Sequence, residues 1–166
     1  MKRLFKICSS AVVAAAFAVP GAVNSATESA DFEVRLTILA NCQITAEDID
    51  FGTYSVGVTG QYDMQGDVEV SCASATTPYT VSLSTGASGN YAARELRQSP
   101  VLVVNYNLYT EAARTNVWGD GSGATVTQAS DLSSQVQQFT AYGRVDPSQP
   151  VTPGVYVDTI TATVEF

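Results

Sequence analysis

Short runs of strand-forming residues, separated by clusters of turn-forming residues, make up most of the sequence beyond residue 30. The runs are rich in Val, Thr, Tyr and Leu, and Gly, Pro, Ser and Asn collect between them. No stretch has the apolar spacing of a long helix, and 166 residues are enough for one domain. Short strands at this spacing predict a single all-β sandwich. The predicted strands cover residues 31–38, 67–72, 79–84, 101–109, 137–145 and 156–166.

Residues 1–25 have the layout of a secretory signal peptide. Basic residues at the start precede an apolar run over 11–19, which is too short to span a bilayer as a permanent helix. Cleavage is expected after Ser25, with cleavage after Ala26 as the alternative. An uncleaved anchor is the other interpretation of this segment.

Removal of the signal peptide leaves a strongly acidic chain. All three basic residues of 1–25 leave with it and no acidic residue does. The remaining chain has five arginines and sixteen acidic residues, so its net charge is −11 instead of −8. No basic patch remains to contact phosphates, so we expect no nucleic-acid partner. The chain has no His, and no Lys lies beyond residue 25. General-base, Schiff-base and imidazole-metal chemistry lose their usual side chains, and we expect no enzyme, cofactor or metal site.

Two of the three cysteines, Cys42 and Cys72, remain after cleavage of the signal peptide. An even pair in a chain exported to an oxidising compartment favours a disulfide. Closure of this loop stabilises the fold by about 3.7 kcal/mol on the chain-entropy estimate. A two-ligand metal site and two free thiols are the alternatives, and no His is present to complete a metal site.

Strict alternation of apolar and polar side chains marks residues 31–38 and predicts a strand with one buried face. One interpretation is the first strand of a self-sufficient sandwich, paired within its own domain. Only residues 39–41 separate it from Cys42, too few for a crossover to the far edge of the same fold. The apolar face carries Phe32, Val34, Leu36 and Ile38.

Two local patterns imitate binding or catalytic motifs. Residues 119–123 carry Gly at every second position, but no helix follows to complete a phosphate-binding loop, and the acid that closes a calcium loop is missing. The cluster of Glu47, Asp48 and Asp50, within a predicted turn, contains a possible carboxylate pair for acid–base catalysis. We expect a flexible loop at 119–123 and a charged loop at 47–50.

A series of short motifs runs through the chain from residue 32 to residue 160. In order they are Phe32-x-Val34, Ile38, Cys42-x-Ile44, Phe51-Gly52-x-Tyr54, Val70-x-Cys72, Tyr79-x-Val81-x-Leu83-x-x-Gly86, Arg94-x-Leu96, Leu102, Tyr106-x-Leu108-Tyr109, Trp118-Gly119, Tyr142-Gly143 and Pro153-Gly154-x-Tyr156-x-Asp158-Thr159-Ile160. Together these motifs resemble the spore coat protein U domain family, which includes the pilins of archaic chaperone-usher fimbriae.

The resemblance implies an incomplete immunoglobulin-like β-sandwich that lacks its last strand and exposes an apolar groove. Residues 26–41 are then an N-terminal donor-strand extension, and residues 42–166 are the pilin domain. The donor side chains are Phe32, Val34, Leu36 and Ile38. The acceptor groove is expected along one face of the last strand, at Tyr156, Ile160, Ala162, Val164 and Phe166.

The resemblance also implies a function, that of a structural subunit of an extracellular pilus that serves surface attachment and biofilm formation. The implied partners are identical or related pilin subunits in a homopolymer, a periplasmic chaperone that first fills the groove, and an outer-membrane usher where the donor strand replaces the chaperone. Such a chain is exported through the periplasm to the cell surface. The alternatives are a secreted spore-coat or matrix protein of the same fold, a self-complete carbohydrate-binding module, or a secreted enzyme that uses carboxylates alone.

Overall fold

The computed structural model describes residues 27–37, 39, 41–55 and 60–166. The predicted signal peptide, both of its cleavage positions and Ile38 of the predicted donor strand lie outside the described residues. The described part consists of eight strands and a 3-10 turn at Gly86–Ser88, which confirms the all-β prediction. Within these residues, no helix has the length and apolar character needed to cross a membrane.

The strands form two antiparallel sheets. Five strands lie in the order β1-β2-β7-β5-β4 and three in the order β6-β3-β8, so β1 and β8 are both edge strands. The strands are β1 (Cys42–Ala46), β2 (Tyr62–Cys72), β3 (Thr80–Leu83), β4 (Arg94–Ser99), β5 (Leu102–Tyr109), β6 (Gln128–Ala129), β7 (Val136–Val145) and β8 (Ala162–Glu165).

Alternate side chains of both sheets meet in one apolar core. Trp118 is fully buried in it, and its indole N–H donates a hydrogen bond to the carbonyl oxygen of Val81 at 2.9 Å. This bond satisfies the one polar atom of the side chain, as burial of a Trp requires. The other buried apolar residues are Val68, Val70, Cys72, Tyr79, Val81, Leu83, Val104, Tyr106, Leu108, Ala141 and Val145.

Four predicted strands, at 67–72, 79–84, 101–109 and 137–145, correspond to β2, β3, β5 and β7. The strand predicted over 156–166 is regular only in β8. Before β8 the backbone of Val157 pairs with Arg97 of β4, so the chain passes from the edge of one sheet to the edge of the other and cannot remain in one ladder.

The alternating segment before β1 is not a strand over its described residues, 31–37. The side chains of Phe32, Val34 and Leu36 are 82 to 86% exposed. Alternation fixes which side chains share a face, but a strand also needs a partner for its backbone groups. The described residues up to Leu36 belong to a unit separate from the described residues that follow.

The predicted disulfide joins Cys42 of β1 to Cys72 of β2, with the two Cα atoms 4.0 Å apart. The residues are direct cross-strand partners. The neighbouring pair is hydrogen-bonded, because the backbone N–H of Ala73 donates to the carbonyl oxygen of Asn41. The cysteines therefore occupy a non-hydrogen-bonded position, where cross-strand side chains lie closest. The disulfide fastens the edge strand β1 to its sheet.

Candidate binding groove

The edge strands β1 and β8 lie near each other without pairing. Cα atoms of the two strands approach within 8 Å, yet no backbone hydrogen bond joins them in the part of the chain that the structure describes. Each strand pairs on one side only, β1 with β2 and β8 with β3. The gap between them is therefore bordered by two unpaired strand edges.

Backbone groups of both strands point into this gap. Ser84 N donates to the carbonyl oxygen of Thr161 at 2.9 Å, and Glu47 N donates to the carbonyl oxygen of Asp67 at 2.9 Å. Successive residues of an antiparallel strand direct their backbone groups to opposite sides. The N–H and C=O groups of alternate residues therefore face the gap, at Cys42, Ile44 and Ala46 on one side and Ala162 and Val164 on the other.

A cavity of about 580 Å³ lies at one end of the gap, between the chain that follows β1 and the chain that precedes β8. Aromatic residues line it: Phe51, Tyr54, Tyr62 and Tyr156. The rings of Tyr54 and Tyr62 have centroids 4.8 Å apart, and Phe51 meets Tyr106 edge to face at 6.1 Å. Gly143 is required under this wall, because a Cβ atom there would lie 2.7 Å from the ring of Phe51.

A second cavity of about 170 Å³ continues along the gap. It shares Ile49, Phe51 and Leu96 with the larger cavity, so the two are adjacent. We call the two adjacent cavities the groove. The floor of the smaller cavity consists of core residues of both sheets: Val68, Leu83, Tyr106, Leu108 and Ala141.

Three of the five predicted acceptor residues line the groove. Tyr156 lines the larger cavity, and Ile160 and Ala162 line the smaller one. Val164 is half-buried against the core and is the cross-strand partner of Val81. Phe166 is exposed and lines a separate depression at the far end of β8.

Asp158, which the sequence analysis did not assign to the site, also lines the groove. Its Oδ1 accepts hydrogen bonds from the backbone N–H groups of Ala87 and Thr159, both at 2.9 Å, and its Oδ2 accepts one from the hydroxyl group of Tyr106 at 2.7 Å. Burial, together with this hydrogen bond to a carboxylate, raises the pKa of Tyr106. Asp158 thereby fastens the chain before β8 to the groove floor and to the 3-10 turn.

Arg94 is fully buried beneath the floor of the groove and links the segments that form it. The guanidinium of Arg94 donates hydrogen bonds to the carbonyl oxygens of Ser84 and Trp118 and to Oδ1 of Asn107, at 2.7 to 3.0 Å. Burial lowers the pKa of Arg94, while nearby acidic groups, including Tyr106 and Asp158, oppose this effect. The acceptors of these hydrogen bonds are all neutral. Through them, Arg94 links β4 to the end of β3, to β5 and to the loop at Trp118.

The sequence also provided no clear indication that Ile49 and Phe51 line the groove. Ile49 and Phe51 alternate with Asp48 and Asp50, and the acids suggested a solvated turn. The segment 47–50 is indeed a loop with exposed acids, but Ile49 and Phe51 point inward and line both cavities. The motif Phe51-Gly52-x-Tyr54 was the available signal for this wall.

The arrangement is suited to binding an extended chain. Apolar side chains line the groove, and no group of three metal-ligating side chains occurs among the described residues. The glycine-rich segment 119–123 forms turns, as predicted. An added strand can satisfy the two open edges and fill the cavities with alternate side chains.

Comparison with solved structures supports this reading of the fold. The chain is 26% identical to a chain of the chaperone–tip adhesion subunit pre-assembly complex CsuC-CsuE from the archaic chaperone-usher Csu pili of Acinetobacter baumannii, with a TM-score of 0.58. The match covers 78% of this chain and 40% of that chain. The HdaB minor tip subunit of the E. coli Hda pilus is 13% identical over 74% of this chain and 79% of that one, with a TM-score of 0.41.

The fold is therefore that of an immunoglobulin-like pilus-subunit sandwich. Comparison with curated proteins gives no match. The family model of the Spore Coat Protein U domain matches residues 28–163, which span both sheets, both groove walls and the described part of the alternating segment. The chain therefore belongs to the Spore Coat Protein U domain family.

Proposed function

We propose that the chain is a structural subunit of a chaperone-usher pilus, in which residues 32–38 of one copy fill the groove of another. The observation that carries this proposal is the groove itself, because it continues the gap between two unpaired strand edges and its floor is apolar core. An inserted strand pairs with β1 on one side and with β8 on the other, after these edges move from within 8 Å to the separation of about 9.6 Å that two strand spacings require. It completes the sandwich from outside the chain.

The alternating segment has the properties of the inserted strand. Seven residues at about 3.3 Å each give a strand of roughly 20 Å. Full burial of four apolar side chains gains about 1.5 to 3 kcal/mol for each of them, before ordering costs. On the opposite face, Arg35 and Glu33 form an exposed ion pair at 2.7 Å, and these groups stay in solvent after insertion.

The open groove implies a partner during export. An unpaired edge beside apolar surface aggregates unless it is covered. The similar solved complex contains a chaperone and a pilus subunit before assembly. We assign a periplasmic chaperone as the first occupant of the groove and an outer-membrane usher as the place of exchange. The product is a cell-surface homopolymer that serves attachment and biofilm formation, with no enzymatic activity and no cofactor.

A matched pair of substitutions tests the inserted strand. In Leu36→Asp, a carboxylate would be buried in a groove that has neither Lys nor His to neutralise it. We expect this subunit to bind its chaperone but to donate no strand. The neighbouring change Thr37→Asp faces solvent after insertion and should allow polymers, since alternation directs it the other way.

Electron microscopy of cells that express the chain with its export partners provides the measurement. The assignment is wrong if Leu36→Asp leaves the subunit unfolded while the surviving protein forms normal polymers. Residues 32–38 would then be a core strand of their own domain. Absence of filaments from the unchanged chain would contradict the pilus function as a whole.

A further inference from the structure

Three exposed valine side chains lie at the end of the sandwich where the larger cavity opens, and one of them, Val155, also lines that cavity. Val101 lies at the tip of the β4–β5 hairpin, and Val155 and Val157 lie on the chain beside it, with side chains 65 to 85% exposed. Two backbone hydrogen bonds between Arg97 and Val157, at 2.8 and 3.1 Å, hold that chain against the hairpin. We call Val101, Val155 and Val157 the knob.

The opposite end of the sandwich carries a depression of about 550 Å³. Leu132 and Phe166 lie at its surface, and Pro78 and Tyr79 line it as well. The hydroxyl group of Tyr79 is the one buried side-chain polar atom without a hydrogen-bond partner in the described part of the chain. We call Pro78, Tyr79, Leu132 and Phe166 the socket.

The strand register places the knob and the socket at opposite ends. Tyr106 of β5 is the partner of Val145 at one end of β7, so the β4–β5 hairpin extends beyond that end. Ser71 is the partner of Val136 at the other end of β7, next to the disulfide and the loop that carries Leu132. Ten residues of β7 separate the ends by about 34 Å.

We propose that the knob of one copy docks into the socket of the copy that fills its groove. This inference rests on the proposed function. The chain from Ile38 to Cys42 spans at most about 14 Å when extended. Cys42 lies at the socket end of its own sandwich. A copy that inserts residues 32–38 antiparallel to β8 ends its inserted strand at the Tyr156 end of the accepting groove. Its socket end then lies close to the knob of the accepting copy, which is at that same end.

Charge favours a second copy as the occupant. Each mature copy carries a net charge of −11, so two copies repel except where one of the two contacting surfaces carries no charge. The knob has no charged side chain, and Glu95 beside it is paired with Arg97 at 2.7 Å. Among the described residues, Glu165 is the one charged side chain that lines the socket. Contact between opposite ends of identical copies is heterologous and does not close, so it repeats along a filament.

Cysteine cross-linking in assembled filaments tests the contact. The double variant Val155→Cys with Leu132→Cys, treated with a short bismaleimide, should give a ladder of cross-linked species on a denaturing gel. Each single variant should give no ladder, because one thiol per copy cannot link successive copies. Cys42 and Cys72 are joined to each other and do not react.

Three results would overturn the docking. Filaments that form normally but yield only monomers after cross-linking show that the ends do not touch. Dimers from the single Leu132→Cys variant show that sockets face each other. In both cases strand insertion survives as the proposed function, whereas a wild-type chain that forms no filaments removes both proposals.

If the double-cysteine variant does not assemble, a charge exchange provides the readout. Val101→Glu with Leu132→Glu should reduce filament length, and Val101→Arg with Leu132→Glu should restore it. Val101 does not line the groove, so strand insertion is unaffected. Equal lengths in the two variants would also contradict the contact.

Discussion

The hydroxyl group of Tyr106 donates a hydrogen bond of 2.7 Å to the Asp158 carboxylate and so connects the groove floor to the chain that precedes β8. Tyr106 is buried in β5, whereas Asp158 lies on a segment with a single strand bridge, at Val157. The edge of the groove is thus positioned by side-chain contacts where regular pairing is absent. Gly86 belongs to the same arrangement, because its φ of +64° favours glycine and a Cβ atom there would collide with the Asp158 carboxylate.

Removal of either partner should destabilise the sandwich by different amounts. Tyr106→Phe removes one hydrogen bond to a charged group and should lower the free energy of unfolding by about 1.5 to 3 kcal/mol. Asp158→Ala should cost more, since it also leaves the backbone N–H of Ala87 without its acceptor. Urea unfolding of the purified chain measures both. The control is Tyr109→Phe, because the hydroxyl group of Tyr109 has no hydrogen-bond partner among the described residues. Equal losses for Tyr109→Phe and Tyr106→Phe would contradict this account.

The disulfide predicts a chemical and a folding result. The mature protein should show no free thiol under denaturing conditions without reductant, because Cys42 and Cys72 are bonded. Cys42→Ser should lower the periplasmic yield, since loss of the cross-link removes about 3.7 kcal/mol on the chain-entropy estimate. Thiol titration and immunoblotting measure these outcomes, and Ser71→Ala, the exposed neighbour on β2, is the matched control. Detection of two free thiols would refute the bond in the exported protein.

Much of the groove was predictable because side-chain alternation persists where regular pairing fails. Tyr156, Ile160 and Ala162 line the two cavities, although only Ala162 lies in a regular strand. A period of two is a property of any extended chain, and it does not require a ladder. Val164 shares a face of β8 with Ala162, and its role as an acceptor residue, like that of Phe166, stays a prediction.

The features that the sequence did not reveal depend on contacts between distant segments. Strand β4 is polar, and it is a strand because β5 and Val157 supply partners on both sides. Arg94 is buried because three carbonyl groups from separate segments accept its hydrogen bonds, whereas composition alone places arginine at the surface. Ile49 and Phe51 were concealed by the acids that alternate with them.

The loop after β5 should lose stability only in strong acid. Partial burial opposes ionisation of Glu111, but hydrogen bonds from the side chains of Thr110 and Thr115 and from the backbone of Asn116 and Thr115 outweigh it and lower its pKa to about 2. The unfolded chain has the ordinary value of 4.5. Because the pKa of Glu111 is lower in the folded state, its ionisation stabilises the folded protein at pH values above the unfolded-state pKa. This stabilisation disappears as the pH falls toward about 2.

The substitution Glu111→Gln isolates this contribution. Thermal unfolding should show a wild-type advantage that is constant above about pH 5 and shrinks between about pH 4.5 and 2. Glu165→Gln, a charge change at an exposed position of β8, serves as the control. A wild-type advantage of the same size at pH 2 and pH 7 would show that the charge of Glu111 is irrelevant.

A change in the groove should block acceptance of a strand without affecting its donation. Ile160→Asp places a carboxylate against the apolar floor, where an inserted strand would bury it without a cationic partner. Residues 32–38 are unchanged in this variant, so it should still donate. Thr161→Asp is the matched control, because the Thr161 side chain is exposed and faces away from the groove.

Mixing complementary variants then separates the two roles. Ile160→Asp alone and Leu36→Asp alone should each form no polymer, because the first cannot accept a strand and the second cannot donate one. Together they should form a dimer and nothing longer, since only the Leu36→Asp groove can take the Ile160→Asp strand. Native mass spectrometry distinguishes dimers from longer species. Long polymers from Ile160→Asp alone would mean that the inserted strand enters elsewhere, and absence of the mixed dimer would mean that residues 32–38 do not fill this groove.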